Sequence, residues 1–395
     1  MDEAHDPSAR AALAWLGPIR NRVRSGFFSL LQKALRSDAG RRILFDTVPP
    51  AVVPGTALRG AQWRADAVPY ADLGAAREIP AQPRSRRPIF ITARFRTGST
   101  LLWNVFRHTP GCRAYYEPLN ERRWFDPLSK GSHTDRTHTG VTDYWREYDG
   151  LERLGELYDA SWTDRDLFMD ETSWNPAMRR YIQELVDAAA PSRAVLQFNR
   201  VDFRLPWLRH YFPTAVIVHL YRHPRDQWCS ALGDYAGSAA PSCTINEFEP
   251  ADQFYLLSWA RDLAYRFPFL DERRWKHPYE LFYLIWKLSW VYGRRYADYS
   301  MSYENFVSAP AEEVSRLFRA VDVRTAESQQ LAALVSRGVT SRWRDYASDD
   351  WFRSIESACE TALSEYIGAF LRERPMVRSA EALASLQAIT LHSHV

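Results

Sequence analysis

Residues 88–100 read Pro-Ile-Phe-Ile-Thr-Ala-Arg-Phe-Arg-Thr-Gly-Ser-Thr, followed by Leu-Leu-Trp-Asn-Val-Phe-Arg-His and, at 115–118, Tyr-Tyr-Glu-Pro. Pro88–Ala93 is apolar and β-branched, flanked by basic residues on one side and a turn on the other, which predicts a buried strand. Leu101–Arg107 combines good helix formers with apolar residues and stops at Pro110-Gly111, which predicts a helix. The loop between them carries Arg96, Thr97, Gly98, Ser99 and Thr100. A strand that feeds a helix through such a loop aims unpaired N–H groups and the positive helix end at one point, a geometry suited to a tetrahedral anion. An ordinary strand–turn–helix connection with a capping Ser or Thr reads the same way on this stretch alone. A Walker A loop does not, because that motif needs Gly-Lys-Ser/Thr and the chain contains no Gly-Lys pair.

At 395 residues, with 46% apolar and 14% aromatic content, the chain has ample material for a large packed core. The net charge of +3 carries no general argument for a nucleic-acid partner. Charge is uneven: residues 1–87 hold 14 Lys/Arg against 8 Asp/Glu, and the remainder 37 against 40. Cys112, Cys229, Cys243 and Cys359 lie far apart with no Cys-x-x-Cys pair, which fits free thiols in a reducing compartment. The first residues include Asp2 and Glu3 and form no continuous apolar core of a secretory signal, so a cytoplasmic location is expected. The apolar run Leu281–Tyr292 is too short to span a bilayer and contains Lys287, which predicts a buried helix.

Three regions follow from this reading: a basic, partly helical extension over 1–87 with little sign of sheet, an α/β domain over 88–372, and a tail over 373–395. Within the extension, Ile19–Ser37 places Val23, Phe27, Leu30, Leu31, Ala34 and Leu35 at helical spacing beside five basic residues. Such a helix packs on its own domain or lies peripherally on an anionic membrane surface. Further along, Cys112–Tyr116, Leu167–Met169, Ala194–Phe198 and Ala215–Tyr221 read as strands. Leu151–Trp162, Ala177–Ala190, Leu205–Tyr211, a segment through Ser230 and Leu232, most of 250–300, and Asp350–Arg372 read as helices. Apolar strands alternating with helices predict a central parallel sheet covered on both faces. His133 and His138 fit neither a helical face nor a zinc spacing, and no metal is expected.

Basic loops gather at Arg96–Thr100, Arg222–Ser230 and Arg337–Trp343. The first two follow predicted strands, and parallel sheets bind ligands at the carboxyl ends of their strands. Arg222 and Ser230 can face one anion through a planar fork and a hydroxyl. Trp343 can cover an aromatic base. Together these loops suggest a ligand with phosphate groups at two ends and a base.

Here the chain resembles the sulfotransferases that use 3′-phosphoadenosine 5′-phosphosulfate. Arg96-Thr97-Gly98-Ser99-Thr100 matches that family's P-loop-like 5′-phosphosulfate loop, with Arg where cytosolic members carry Lys. Arg222-His223-Pro224-Arg225-Asp226 with Ser230 matches its 3′-phosphate motif. Arg337-Gly338 with Trp343 matches its third loop in part, Ser336 standing where the family has Arg. Phe212-Pro213, Tyr303-Glu304-Asn305 and Arg342-Trp343-Arg344 look like further landmarks. The resemblance covers about 88–372 and implies a nucleotide-kinase-like α/β fold. It assigns Arg96, Thr97, Gly98, Ser99, Thr100, Leu101, Arg222, Ser230, Arg337 and Gly338 to the nucleotide. The reaction it implies is sulfuryl transfer to a hydroxyl of a small molecule, sugar or lipid.

Cytosolic members carry a catalytic His near the segment Gln197-Phe198-Asn199-Arg200, which has none here. Branches acting on sugars and similar acceptors use a carboxylate just after the second strand, and Glu117 holds that place, with Glu171 in reserve. A structural role for Glu117, as a cap or salt-bridge partner, is the alternative. Arg96 is expected near Glu117, holding it ionised, because the helix joining the two strands would make them neighbours, and Pro118 is expected to keep Glu117 extended. Two other classes compete. A P-loop kinase is disfavoured by the missing Gly-Lys, and because the strand at 215–221 runs into Arg222 instead of a magnesium-binding Asp. A non-catalytic nucleotide-binding or scaffold protein would keep the Arg loops without a base.

Overall fold

The computed structural model describes residues 77–78, 87–129, 141–233, 240–335 and 340–373, all within the compact unit spanning 57–395. The amphipathic segment Ile19–Ser37, the pair His133 and His138, and the third-loop residues Arg337 and Gly338 lie outside the described residues.

The described residues form a six-stranded sheet built from β1 (Arg77–Glu78), β2 (Ile89–Thr92), β3 (Cys112–Tyr116), β4 (Arg193–Phe198), β5 (Val216–Tyr221) and β6 (Tyr299–Ser302). The spatial order is β1-β6-β5-β2-β4-β3; β2 to β6 are parallel, and β1 pairs antiparallel with β6. Every residue of β2, β5 and β6 is buried, because helices cover both faces. The helices are α1 (Ser99–Arg107), α2 (Pro176–Ala188), α3 (Leu205–Tyr211), α4 (Pro224–Leu232), α5 (Leu256–Leu263), α6 (Pro278–Tyr296), α7 (Tyr303–Ser308), α8 (Pro310–Val321) and α9 (Asp349–Glu373). From β2 the chain moves to one side for β3 and β4 and to the other for β5 and β6. That reversal makes the carboxyl end of β2 a topological switch point, where open α/β sheets bind their ligands.

Helix α6 is the central pillar. Its 19 residues are buried almost throughout, and it packs on α3, α5, α9 and β5. A capping box starts it: His277 Nδ1 accepts from the Tyr279 N–H, and the Glu280 carboxylate takes the His277 N–H. Inside the core, Lys287 meets Glu360 of α9 at 3.0 Å, so the one charge in this apolar run is paired. No described helix is long and apolar enough to cross a membrane.

Several sequence expectations need correction. β2 and β3 are not neighbours, because β4 is inserted between them, with Gln197 opposite both Ile91 and Tyr116. Nothing in the run 88–117 encodes a strand arriving from residue 193. The extension also contributes to the sheet through Arg77–Glu78. Strand β6 was hidden inside a stretch read as helical, since Tyr-Ser-Met-Ser lacks a continuous apolar signal. Leu151–Trp162 forms two short 3-10 turns, Glu152–Glu156 and Ala160–Thr163, and no α-helix. Gly150 at φ 81° and the Asp159 side chain, which accepts from the Ser161 N–H, break the run. Leu167–Met169 is no strand; the Met169 N–H donates to the Phe203 carbonyl, after β4.

Candidate active site

The loop after β2 turns through two left-handed residues, Arg96 at φ 65° and Gly98 at φ 87°. Thr97 closes the turn, donating from both its N–H and its Oγ1 to the Arg94 carbonyl, at 3.3 and 2.7 Å. Gly98 caps α1, and a Cβ there would sit 2.5 Å from the Tyr303 ring, so glycine is required on two counts. Ser99 and Thr100 occupy the first helical turn, which holds no acidic residue. That arrangement sets the positive end of α1 and its first hydroxyl residues at the carboxyl end of β2, a placement suited to an anion.

The second basic loop meets the first. Arg222 Nη1 donates to the Arg96 carbonyl at 3.1 Å, and Arg96 Nε donates to the Ser230 carbonyl and Oγ at 3.1 and 3.2 Å. The Arg222 guanidinium lies 4.4 Å from the Tyr303 ring centroid, so Tyr303 packs between the glycine of one loop and the arginine of the other. Glu304 accepts from the His223 N–H at 2.9 Å, and the Trp286 indole donates to the Arg222 carbonyl at 3.0 Å. Desolvation lowers the Arg222 pKa below its usual value. His223 and Trp343 lie nearly parallel, 7° apart with centroids separated by 6.4 Å, and Arg225 lies over Trp343. Asp226 accepts from the Ser341 N–H at 2.8 Å and so anchors the end of the third loop.

Glu117 emerges at the carboxyl end of β3 and is buried. Its backbone is left-handed, φ 40°, and not extended as the following proline suggests. Its carboxylate faces Arg200 at 3.8 Å and accepts from Asn120 Nδ2. Arg200 also pairs with Glu121 and donates to Asn199 Oδ1 at 2.6 Å. The cation that steadies Glu117 is therefore Arg200, from the loop after β4, and not Arg96. Burial nevertheless outweighs it: the Glu117 pKa is raised above 4.5 by desolvation, against the opposing pull of Arg200 and Asn120. Glu117 still reaches the anion loop through Tyr116. The Tyr116 hydroxyl, on the residue just before Glu117, lies 3.1 Å from Thr100 Oγ1.

An aromatic and cationic wall runs beside these groups. Phe95 packs on Phe254, Tyr255 and Trp259, with Arg200 over Phe95 and Tyr255 and Arg94 over Trp259. Arg94 is buried, its Nε and Nη1 make no protein hydrogen bond, and desolvation lowers its pKa to about 10. Glu171 is exposed, and its electrostatic neighbour is Tyr296. The Tyr296 carbonyl is held by Arg209, which also takes the carbonyl just before β5, so Glu171 belongs to the opposite, amino edge of the sheet. The structure thus brings together Arg96, Thr97, Gly98, Ser99, Thr100, Leu101, Arg222, Ser230 and Glu117. It adds Tyr116, Arg200, Arg94 and the packing role of Tyr303. In the sequence, Tyr116 and Arg200 were visible as neighbours of candidate positions, without a partner to give them a role.

The segment 88–327 matches the model of the Sulfotransferase family. The chain belongs to that family. Among solved structures it resembles a sulfotransferase from Alicyclobacillus acidocaldarius, with 15% identity, covering 73% of this chain and 96% of that one, at a TM-score of 0.34. It also resembles sulfotransferase STF1 from Mycobacterium tuberculosis (16%, 69% and 77%, 0.37) and a sulfotransferase domain from the curacin biosynthetic pathway (14%, 73% and 98%, 0.34). Likeness at this level transfers no residue role or substrate. No curated protein sequence is similar enough to this sulfotransferase to match.

Proposed function

We propose that this sulfotransferase moves the sulfuryl group of 3′-phosphoadenosine 5′-phosphosulfate to a hydroxyl of a small-molecule, sugar or lipid acceptor. The observation that carries the reading is the junction of Arg96, Arg222 and Ser230, with the buried carboxylate of Glu117 one residue after Tyr116, whose hydroxyl meets the same loop at Thr100. In this reading Arg96 and the loop from Thr97 to Leu101 hold the 5′-phosphosulfate. Arg222 and Ser230 take the 3′-phosphate, joined by Arg337 and Gly338. As the acceptor oxygen bonds to sulfur, the bond from sulfur to the phosphate oxygen breaks and the acceptor proton passes to Glu117. The products are the sulfate ester and adenosine 3′,5′-bisphosphate. Such a transition state is loose and in line, so alignment and charge stabilisation supply most of the rate. Arg96 and the helix amides steady the transferring group and the departing phosphate. The wall of Phe95, Tyr255 and Trp259 would receive the acceptor, and the burial of Glu117 there favours proton capture near neutral pH. Four free cysteines support a reducing, cytoplasmic setting.

Calorimetry tests the donor. Adenosine 3′,5′-bisphosphate should bind more tightly than ATP, and Arg222→Ala should cost roughly 1.5–3 kcal/mol, the range for a charge-assisted hydrogen bond. Tighter ATP binding that ignores Arg222→Ala sinks the reading.

A further inference from the structure

Two arginines are buried in the segments that follow β2 and β4, and the fold treats them differently. Arg204 donates to the carbonyls of Trp162, Arg165, Asp166 and Arg200 at 2.8–3.2 Å, so its charge is answered by the backbone. Arg94 is only 5% exposed, yet its Nε and Nη1 meet no hydrogen-bond acceptor among the described residues. Asp202 is the acidic group whose field reaches it, but each Asp202 oxygen already accepts a hydroxyl, from Thr92 Oγ1 and from Ser289 Oγ. Folds satisfy nearly all their buried donors, and a buried charge left without a partner is costly. The direction of Arg94 follows from the strand. Side chains alternate along β2, so Arg94 continues the face of Thr92, which α5 and α6 cover. Helix α1 lies on the other face, where Trp103 meets Tyr116, the register partner of Gln197 and so in line with Ile91. Arg94 therefore belongs to the aromatic wall and not to the anion loop. That wall deepens from the half-buried rings of Phe95, Phe254 and Tyr255 to the buried ring of Trp259, and the Arg94 guanidinium lies 4.9 Å from the centroid of that last ring.

We propose that Arg94 takes an anionic group of the acceptor, so that the molecule sulfated here is an acid, a hydroxyl compound that also carries a carboxylate or similar oxyanion. The proposal rests on the reading that the wall receives the acceptor. An oxyanion at the floor of the wall gives Arg94 the acceptors that the protein does not supply, and a guanidinium stacked on an indole keeps its in-plane N–H groups free for such a partner. Arg200 marks the other end. Its guanidinium lies 4.9 Å from the Phe95 centroid and 3.8 Å from the Glu117 carboxylate, and the Phe95 and Trp259 rings are 5.6 Å apart. Glu117 and Arg94 thus stand at opposite ends of the Phe95–Trp259 pair. The acceptor hydroxyl and the anionic group would sit at opposite ends of the molecule, with an apolar middle against the rings.

The test uses a matched pair of probes. The full chain is saturated with adenosine 3′,5′-bisphosphate, and 4-hydroxybenzoate and its neutral counterpart 4-hydroxybenzyl alcohol are titrated in by calorimetry at pH 7. The acid should bind about tenfold more tightly than the alcohol, the effect of one charge-assisted hydrogen bond. Arg94→Met, similar in length and uncharged, should reduce that preference to about twofold or less and leave bisphosphate affinity within about twofold. Arg94→Lys should restore part of the preference, and Arg94→Gln serves if the methionine variant does not fold. Equal binding of the two probes to the wild type, or binding of neither at millimolar concentration, overturns the proposal. A preference that survives Arg94→Met overturns it too, because the anion then sits elsewhere. So does a large loss of bisphosphate affinity in Arg94→Met, which would assign Arg94 to the donor. If the wild type does not bind the bisphosphate, the donor assignment falls by itself, and the same pair of probes titrated without nucleotide still decides the role of Arg94.

Discussion

As the proposed base, Glu117 links the chemistry and the stability of this protein to pH. Burial raises its pKa in the folded state, so the folded protein holds this proton more tightly than the unfolded chain does. A group of that kind contributes its full stability below its unfolded value, near 4.5, and the contribution is lost as pH rises through the folded value. Turnover has the opposite sign, since the base must be ionised, and kcat/KM should climb as Glu117 loses its proton. Glu117→Gln is therefore expected to do two things at once. Turnover should drop about 10²–10⁴-fold while bisphosphate affinity holds. Stability at pH 7–8 should rise, on the order of 1 kcal/mol, an advantage that shrinks toward pH 4. Arg200 retains Glu121, so the change strands no buried cation. Thermal melts at both pH values check the second part, and near-wild-type turnover would return Glu117 to a structural role. Glu171→Gln, on the far edge of the sheet, should leave turnover unchanged. The position of Glu117 after a short strand was legible in the sequence. Its left-handed backbone and its pairing with Arg200 were not, the pairing because Arg200 lies in the loop after β4, far along the chain.

Strands with continuous apolar runs, β2, β4 and β5, could be read directly, and so could the helices α2, α3 and α9, whose apolar spacing is regular. What could not be read was pairing. A strand declares its burial by composition, but its neighbours only by the register it meets, and β4 between β2 and β3 is such a case. The anion loop shows a second limit: Gly98 is plain in the sequence, yet its partner Tyr303 stands at the start of α7, far along the chain. The contact makes a sharp prediction. Gly98→Ala forces a side chain into the left-handed region and against the Tyr303 ring. The ring also packs against the Arg222 guanidinium, 4.4 Å from its centroid, so shifting it disturbs that contact. Stability should fall by roughly 1–3 kcal/mol, and bisphosphate affinity should fall with it. A variant that melts and binds like the wild type would show that Tyr303 does not brace the loop.

The nucleotide-side loop is tied to the rest of the molecule by ionic contacts that run through the core. Arg225, the second residue of α4, donates from Nε and Nη2 to the two oxygens of Glu356 on α9, both at 2.8 Å, and also pairs with Asp349. Tyr279 of α6 donates to the same Glu356 at 2.8 Å, and Tyr283 donates to Glu360 at 2.6 Å, where Lys287 also sits. The helix that carries the proposed 3′-phosphate motif is thus fastened to both the central pillar and the last helix. The sequence showed Asp350–Arg372 as a helix but offered no sign that its buried face would hold Glu356 and Glu360, since a helical glutamate carries no mark of burial. Breaking a buried pair strands the opposite charge, whereas an exposed partner is replaced by water. Glu356→Ala should therefore cost about 3–5 kcal/mol in urea denaturation, because it removes the bidentate acceptor of an Arg225 guanidinium buried beside Trp343 and Phe352. Asp349→Ala should cost much less. If α4 is held in place by this contact, Glu356→Ala should also weaken bisphosphate binding when measured at low temperature, where the variant is still folded. Similar costs for the two substitutions, or intact binding in Glu356→Ala, would mean that α4 is set by its packing against α6 alone.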